Sequence, residues 1–120
     1  MQPVDEGCAF GRESRLHNRS QFSFVRENGV SKAGKFCIVN VLRPSLDGGS
    51  RAGFSISRRY SKLAVERNRA RRIFREVYRC VYERCRGCWV IFVPRHSMLK
   101  AKMQDVLSEV EAALATILEK

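Results

Sequence analysis

Apolar and polar side chains alternate most cleanly at 51–58, RAGFSISR. In an extended chain Ala52, Phe54 and Ile56 fall on one face, and Gly53, Ser55 and Ser57 on the other. The pattern predicts a strand with an apolar side and a small, polar, open side. KFCIVNVLR at 35–43 is β-branched and apolar and predicts a second strand, with SLDGGS at 45–50 as the turn between them. WVIFV at 89–93 reads as a buried strand.

Three segments carry helical spacing instead. A short helix over 18–28 has Asn18 or Ser20 as its cap and Gly29 at its end. A long helix over 62–84 stops near Gly87. An amphipathic helix over 98–118 has Ser97 as its cap and Met103, Val106, Val110, Leu114 and Ile117 on one face. The order is α-β-β-α-β-α, with room for one more short strand. That is an α+β domain: a sheet of three to four strands with helices packed on one face. Residues 1–14, with Pro3, Gly7 and Gly11, read as a flexible tail, and 15–120 as a single domain.

Charge changes the picture most at 66–79, ERNRARRIFREVYR. At 100° per residue, Ala70, Ile73, Phe74, Val77 and Val81 gather on one side of the helix. Asn68, Arg71, Arg72, Arg75 and Arg79 gather on the opposite side, with Arg67 and Arg69 on the flanks. The apolar residues interrupt the arginines in sequence but not in space. Net charge is +11 over 120 residues. Residues 58–86 hold eleven basic and three acidic side chains, so +8 of that total sits on a quarter of the chain.

A merely solvated helix face mixes both signs to gain pairs four residues apart. Here arginines face arginines, at a cost, so the stripe is meant for a polyanion, and nucleic acid leads the candidates. Guanidinium groups suit this role because each offers a fork of donors to two phosphate oxygens and stacks on bases. Asn68, within the stripe, both donates and accepts, which suits a base edge or a 2′-hydroxyl.

Other chemistry is thin. The five cysteines (Cys8, Cys37, Cys80, Cys85 and Cys88) are odd in number and irregular in spacing. With a charged N-terminal stretch in place of a signal peptide, and no apolar run long enough to span a bilayer, they predict reduced thiols in the cytoplasm. Cys85-x-x-Cys88 has zinc-like spacing, with Cys80 and His96 nearby, but no second cysteine pair completes the ligand set. His17 and His96 have no carboxylate or nucleophile at a suggestive spacing. Glu76 is expected to pair with an arginine of its own helix, and Phe24 and Trp89 to pack in the core. There is no acidic cluster for metal-dependent hydrolysis, so the protein alone is not expected to be a nuclease.

The run SISRRYSKLAVERNRARRIFREVYR at 55–79 resembles the signature of the bacterial ribonuclease P protein family. The matching parts are Ser57-Arg58-Arg59, Ala64-Val65 and Arg67-Asn68-Arg69. Arg15-Leu16 with Ser20, Phe22, Val25 and Gly29 resembles the family's first helix. WVIFVPR at 89–95 and the helix after it resemble its last strand and helix. The resemblance spans about 14–118.

It implies a left-handed βαβ crossover. It also implies a function: the protein subunit binds a catalytic RNA and the 5′ leader of precursor tRNA, while the RNA, with magnesium, cuts the leader. No organic cofactor, membrane or obligatory protein partner is implied. The resemblance assigns RNA contacts to Arg58, Arg59, Arg67, Asn68, Arg69, Arg71, Arg72 and Arg75. It assigns a leader cleft to Phe22, Cys37, Val39, Ser55 and Ser57.

This chain departs from the family pattern in three places. Arg26 stands four residues after Phe22, where an aromatic is usual, and Val39 is read at a cleft position where tyrosine is usual. The loop Tyr60-Ser61-Lys62-Leu63 is one residue longer and lacks the usual glycine. The rival reading is a stand-alone RNA- or DNA-binding structural module of the ribosome-associated type, which needs the basic helix but no conduit for a single strand.

Overall fold

The computed structural model describes residues 16, 19–45 and 48–118. The expected tail over 1–14, the cap Asn18, and Arg15, His17 and Cys8 lie outside the described residues. Seven elements follow in order: α1 (Arg19–Asn28), β1 (Val30–Ala33), β2 (Cys37–Leu42), β3 (Arg51–Phe54), α2 (Ala64–Val81), β4 (Trp89–Pro94) and α3 (Met103–Leu118). The four strands form one sheet in the order β1-β2-β4-β3. β1 and β2 pair antiparallel, as do β2 and β4, whereas β3 and β4 run parallel. The chain therefore crosses from β3 through α2 to its parallel neighbour β4, as a βαβ unit must.

The additional short strand is β1, whose four residues are all exposed. The long helix ends in a 3₁₀ turn, Tyr82–Cys85, and Gly87 at φ +74° makes the left-handed step that sends the chain into β4. The last helix starts later than its apolar spacing suggests. Residues His96–Lys100 form a separate 3₁₀ turn, and the hydroxyl of Ser97 donates to the Lys35 carbonyl rather than capping a helix.

The helices do not all lie on one face, as the pattern suggested. α2 and α3 cover one side, burying Val39, Val41, Phe74, Val77, Phe92, Val110 and Leu114 in the main core. Phe74 stacks on Phe92 at 5.2 Å between ring centroids, and Phe54 joins at 5.8 Å from Phe74. α1 packs on the opposite side, where Val25 meets Leu42, Trp89 and Ile91. This second, smaller layer explains why β2 and β4 are apolar at nearly every position: both central strands are covered on both faces. No helix among the described residues is long and apolar enough to cross a membrane.

α3 is pinned to the β1–β2 turn by Glu109. Its carboxylate accepts from the backbone N–H groups of Lys35 (2.7 Å), Phe36 (2.9 Å) and Cys37 (2.9 Å). Gly34 leaves the room for it, since a Cβ there would overlap the carboxylate.

Candidate nucleic-acid interface

Edge strand β3 is the floor of the site. Its ladder with β4 ends at Phe54, four residues sooner than the alternation suggests, although Ser55 N still donates to Phe92 O at 2.9 Å. Gly53 and Ser55 face the α1 side, as the alternation predicts. Phe22 of α1 lies directly over Gly53, where a Cβ would come within 2.6 Å of the ring. On one side of this contact a cavity of about 290 Å³ is lined by Leu16, Phe22, Gly53, Phe54, Arg71 and Arg75. On the other, a second of about 290 Å³ is lined by Arg19, Phe22, Arg26, Phe54, Ser55 and Ser57. Phe22 and Phe54 belong to both, so the two read as one groove running along β3 between α1 and α2.

Of the expected cleft residues, Phe22, Ser55 and Ser57 come together here. Cys37 and Val39 do not. Both are 1% exposed and lie in the main core, on the opposite face of the sheet. The register explains it: Val39 pairs with Phe92, and Phe92 with Phe54, a row that faces α2 and α3. The row facing α1 is Asn40, Ile91 and Gly53, so the β2 residue on the cleft face is Asn40, itself buried. Burial, with the neighbouring Glu109 charge adding to it, pushes the Cys37 thiol up to about 12.

The arginine stripe divides in two. Asn68, Arg72 and Arg75 are exposed and Arg71 half-buried, while Ala70, Ile73, Phe74 and Val77 are buried beneath them. Arg71 Nη1 donates to Asn68 Oδ1 at 2.9 Å, holding the two side chains together. Arg67 and Arg69 are turned to internal work. Arg67 Nη1 donates to the Ser61 carbonyl at 2.9 Å. Arg69 donates to the carbonyls of Leu99 (3.3 Å) and Ala101 (2.5 Å), closing the end of the 3₁₀ turn that precedes α3. Both side chains, half-buried, thus spend donors within the fold. Arg79 pairs with Glu76, as the helix spacing suggested, and Arg86 with Glu83 at 3.0 Å.

Arg58 and Arg59 are exposed in the turn beyond Ser57, whose hydroxyl accepts from Arg59 N at 3.2 Å. The longer loop that follows is tied down rather than loose. Tyr60 is buried with its ring 6.3 Å from His96, and the Ser61 hydroxyl donates to Glu66. The sequence pattern missed Arg19 as a groove residue and gave Arg26 only as a departure. The helical spacing of Arg19, Phe22 and Arg26, three and then four apart, is the signal that would have joined them. Cys85 and Cys88 are buried, Cys80 is exposed, and all three are free thiols.

The groove thus has an aromatic ring at its waist and arginines on both walls. The family model for ribonuclease P matches residues 10–118. The chain belongs to the ribonuclease P protein family. The ribonuclease P protein component of Clostridioides difficile (strain 630) is 34% identical over 99 residues, covering 81% of this chain and 85% of the relative. That of Symbiobacterium thermophilum is 34% identical over 98 residues, covering 81% and 84%. The fold is shared with a solved ribonuclease P protein mutant of Staphylococcus aureus, at a TM-score of 0.79 and 18% identity over 99% of this chain and 98% of that one. The Thermotoga maritima ribonuclease P protein superposes at a TM-score of 0.73 with 22% identity, covering 86% of this chain and 96% of that one. As a ribonuclease P protein, the chain is one component of a tRNA-processing ribonucleoprotein and has an RNA partner.

Proposed function

We propose that this protein binds the catalytic RNA of ribonuclease P through Asn68, Arg71, Arg72 and Arg75. On this reading it holds the single-stranded 5′ leader of precursor tRNA in the groove beside Phe22. The observation that carries the reading is that Arg71 and Arg75 line the same groove as Phe22 and Gly53. One helix thereby serves both the RNA core and the leader. A stand-alone structural module would need the stripe but not the groove.

The chemistry of the walls supports a leader. Phe22 offers a face for one base, and stacking of this kind tolerates any base. Arg19 and Arg26 on one side, and Arg71 and Arg75 on the other, offer charge to the phosphates that flank it. The absent Cβ at Gly53 keeps the floor low. Arg58 and Arg59, beyond Ser57, meet phosphate where the strand leaves the groove. Arg26 thus supplies charge where the family pattern has an aromatic.

Among the described residues no group of three or more His, Cys, Asp or Glu side chains is placed to hold a metal ion. On the same reading magnesium, and the cleavage it supports, belong mainly to the RNA. The protein's part is to orient the leader and to offset repulsion between two polyanions.

A reconstitution tests the reading. The protein, a bacterial ribonuclease P RNA and a labelled precursor tRNA are mixed at low magnesium, and release of the 5′ leader is followed. Cleavage is expected with both components and none with protein alone. Absence of stimulation, with RNA binding intact, would favour the structural module.

A further inference from the structure

Residues 62–65, Lys-Leu-Ala-Val, are exposed at every position. Leu63 is 57% and Val65 68% exposed, and among the described residues only Val30, at 56%, matches them as an exposed large apolar side chain. Neither helps the local fold. Leu63 stands at the N-cap of α2 without a side-chain capping bond, and valine is a weak helix former. The apolar side of α2 begins only at Ala70.

The placement of this apolar tip suggests its use. Val65, Asn68 and Arg72 are three and then four residues apart on one helix, so they lie along a single line of its surface, and all three are exposed. Lys62 precedes the tip, and the exposed Arg58 and Arg59 lie in the turn before it. An apolar patch continuous with a cationic stripe complements a partner that joins apolar faces to negative charge. Nucleic acid is such a partner, with bases and ribose edges beside phosphates. A second copy of this chain is disfavoured, since it would bring two sets of these cations together.

We propose that Leu63 and Val65 make an apolar contact with a nucleobase or ribose face of the RNA partner. This contact supplies a part of the affinity that does not depend on salt. The inference rests on the reading of α2 as the RNA-binding helix.

The test measures the dissociation constant for ribonuclease P RNA over a range of monovalent salt. It compares the wild type, the double variant Leu63→Ser/Val65→Ser, the near-isosteric Val65→Thr, and Arg72→Ala as the electrostatic control. The double variant should bind roughly tenfold more weakly at every salt concentration, because two half-exposed apolar side chains lose their burial. Its salt slope should equal that of the wild type, and Val65→Thr should show a smaller loss of the same kind. Arg72→Ala should instead flatten the slope by about 0.7–0.9. Thermal melting of the free double variant should be unchanged, and a lowered melting temperature would mean that the two side chains serve the fold instead. Unchanged affinity in the double variant, with the Arg72 slope effect present, would overturn the apolar contact and leave the RNA face standing. No effect of either variant would reject the RNA face itself, and this inference with it. Concentration-dependent dimerisation of the wild type, abolished in the double variant, would assign the patch to a second copy.

Discussion

The ring of Phe22 rests on the bare backbone of Gly53, so close that a Cβ at 53 would lie 2.6 Å from Phe22 Cζ. That contact sets the floor and waist of the groove at once. Gly53→Ala must push the ring outward, and a ring edge moves at little cost in stability. The variant should therefore fold with nearly wild-type stability but bind precursor tRNA with a long leader less well. A substrate cut to a one-nucleotide leader should be affected much less, and Phe22→Ala should show the same discrimination. Equal losses on both substrates would reject the groove as the leader site.

Arg69 and Arg72 look alike in sequence but should behave in opposite ways. Arg69 holds the carbonyls of Leu99 and Ala101, so Arg69→Ala leaves partly buried acceptors unpaired. A loss of about 1–3 kcal/mol in urea unfolding is expected, with little change in the salt slope of RNA binding. Arg72→Ala should leave unfolding untouched and reduce that slope by about 0.7–0.9. Interchanged results would return Arg69 to the RNA-binding surface.

Glu109 and Gly34 form a second testable pair. Glu109→Gln places an amide N–H₂ among three backbone donors in place of one acceptor oxygen. It should destabilise the fold by about 1–3 kcal/mol without altering RNA affinity at temperatures where the protein is folded. Gly34→Ala displaces the same carboxylate, so the double variant should cost less than the sum of the two singles. Additive losses would show that the two positions act separately.

The buried thiols predict an alkaline limit to stability. Burial pushes the Cys37 and Cys85 thiols up to about 12 from their ordinary 9.0. Well below pH 9 both thiols keep their protons whether the chain is folded or not. Between about pH 9 and 12 the unfolded chain gives up protons that the folded one keeps, so stability should fall as pH rises. Melting temperatures at pH 8 and pH 10.5 measure the drop, and Cys37→Ala should reduce it. At pH 8, alkylation followed by mass spectrometry should modify exposed Cys80 well before Cys37, Cys85 or Cys88. Rapid labelling of Cys37 in the folded protein would contradict its placement.

The sequence by itself determined most of the elements and the two faces of α2. A period of 3.6 sorts Ala70, Ile73, Phe74 and Val77 from Asn68, Arg72 and Arg75 without reference to anything else, and the structure buries the first set and exposes the second. The alternation at 51–57 likewise separated Ala52 and Phe54 from Gly53 and Ser55, because only one side of that edge strand is apolar. It failed for β2, where CIVNVL is apolar on both sides and alternation carries no sign. Pairing of Val39 with Phe92 decided that Cys37 and Val39 face the core and Asn40 faces α1. The arginines divide for a similar reason. Every arginine of α2 carries the same charge and the same reach, and the helix wheel distinguishes only their angle. Which of them spend their donors inside the fold depends on where the Ser61 carbonyl and the end of the His96–Lys100 turn come to lie. Those positions are fixed by packing between segments distant in sequence, and no local pattern encodes it.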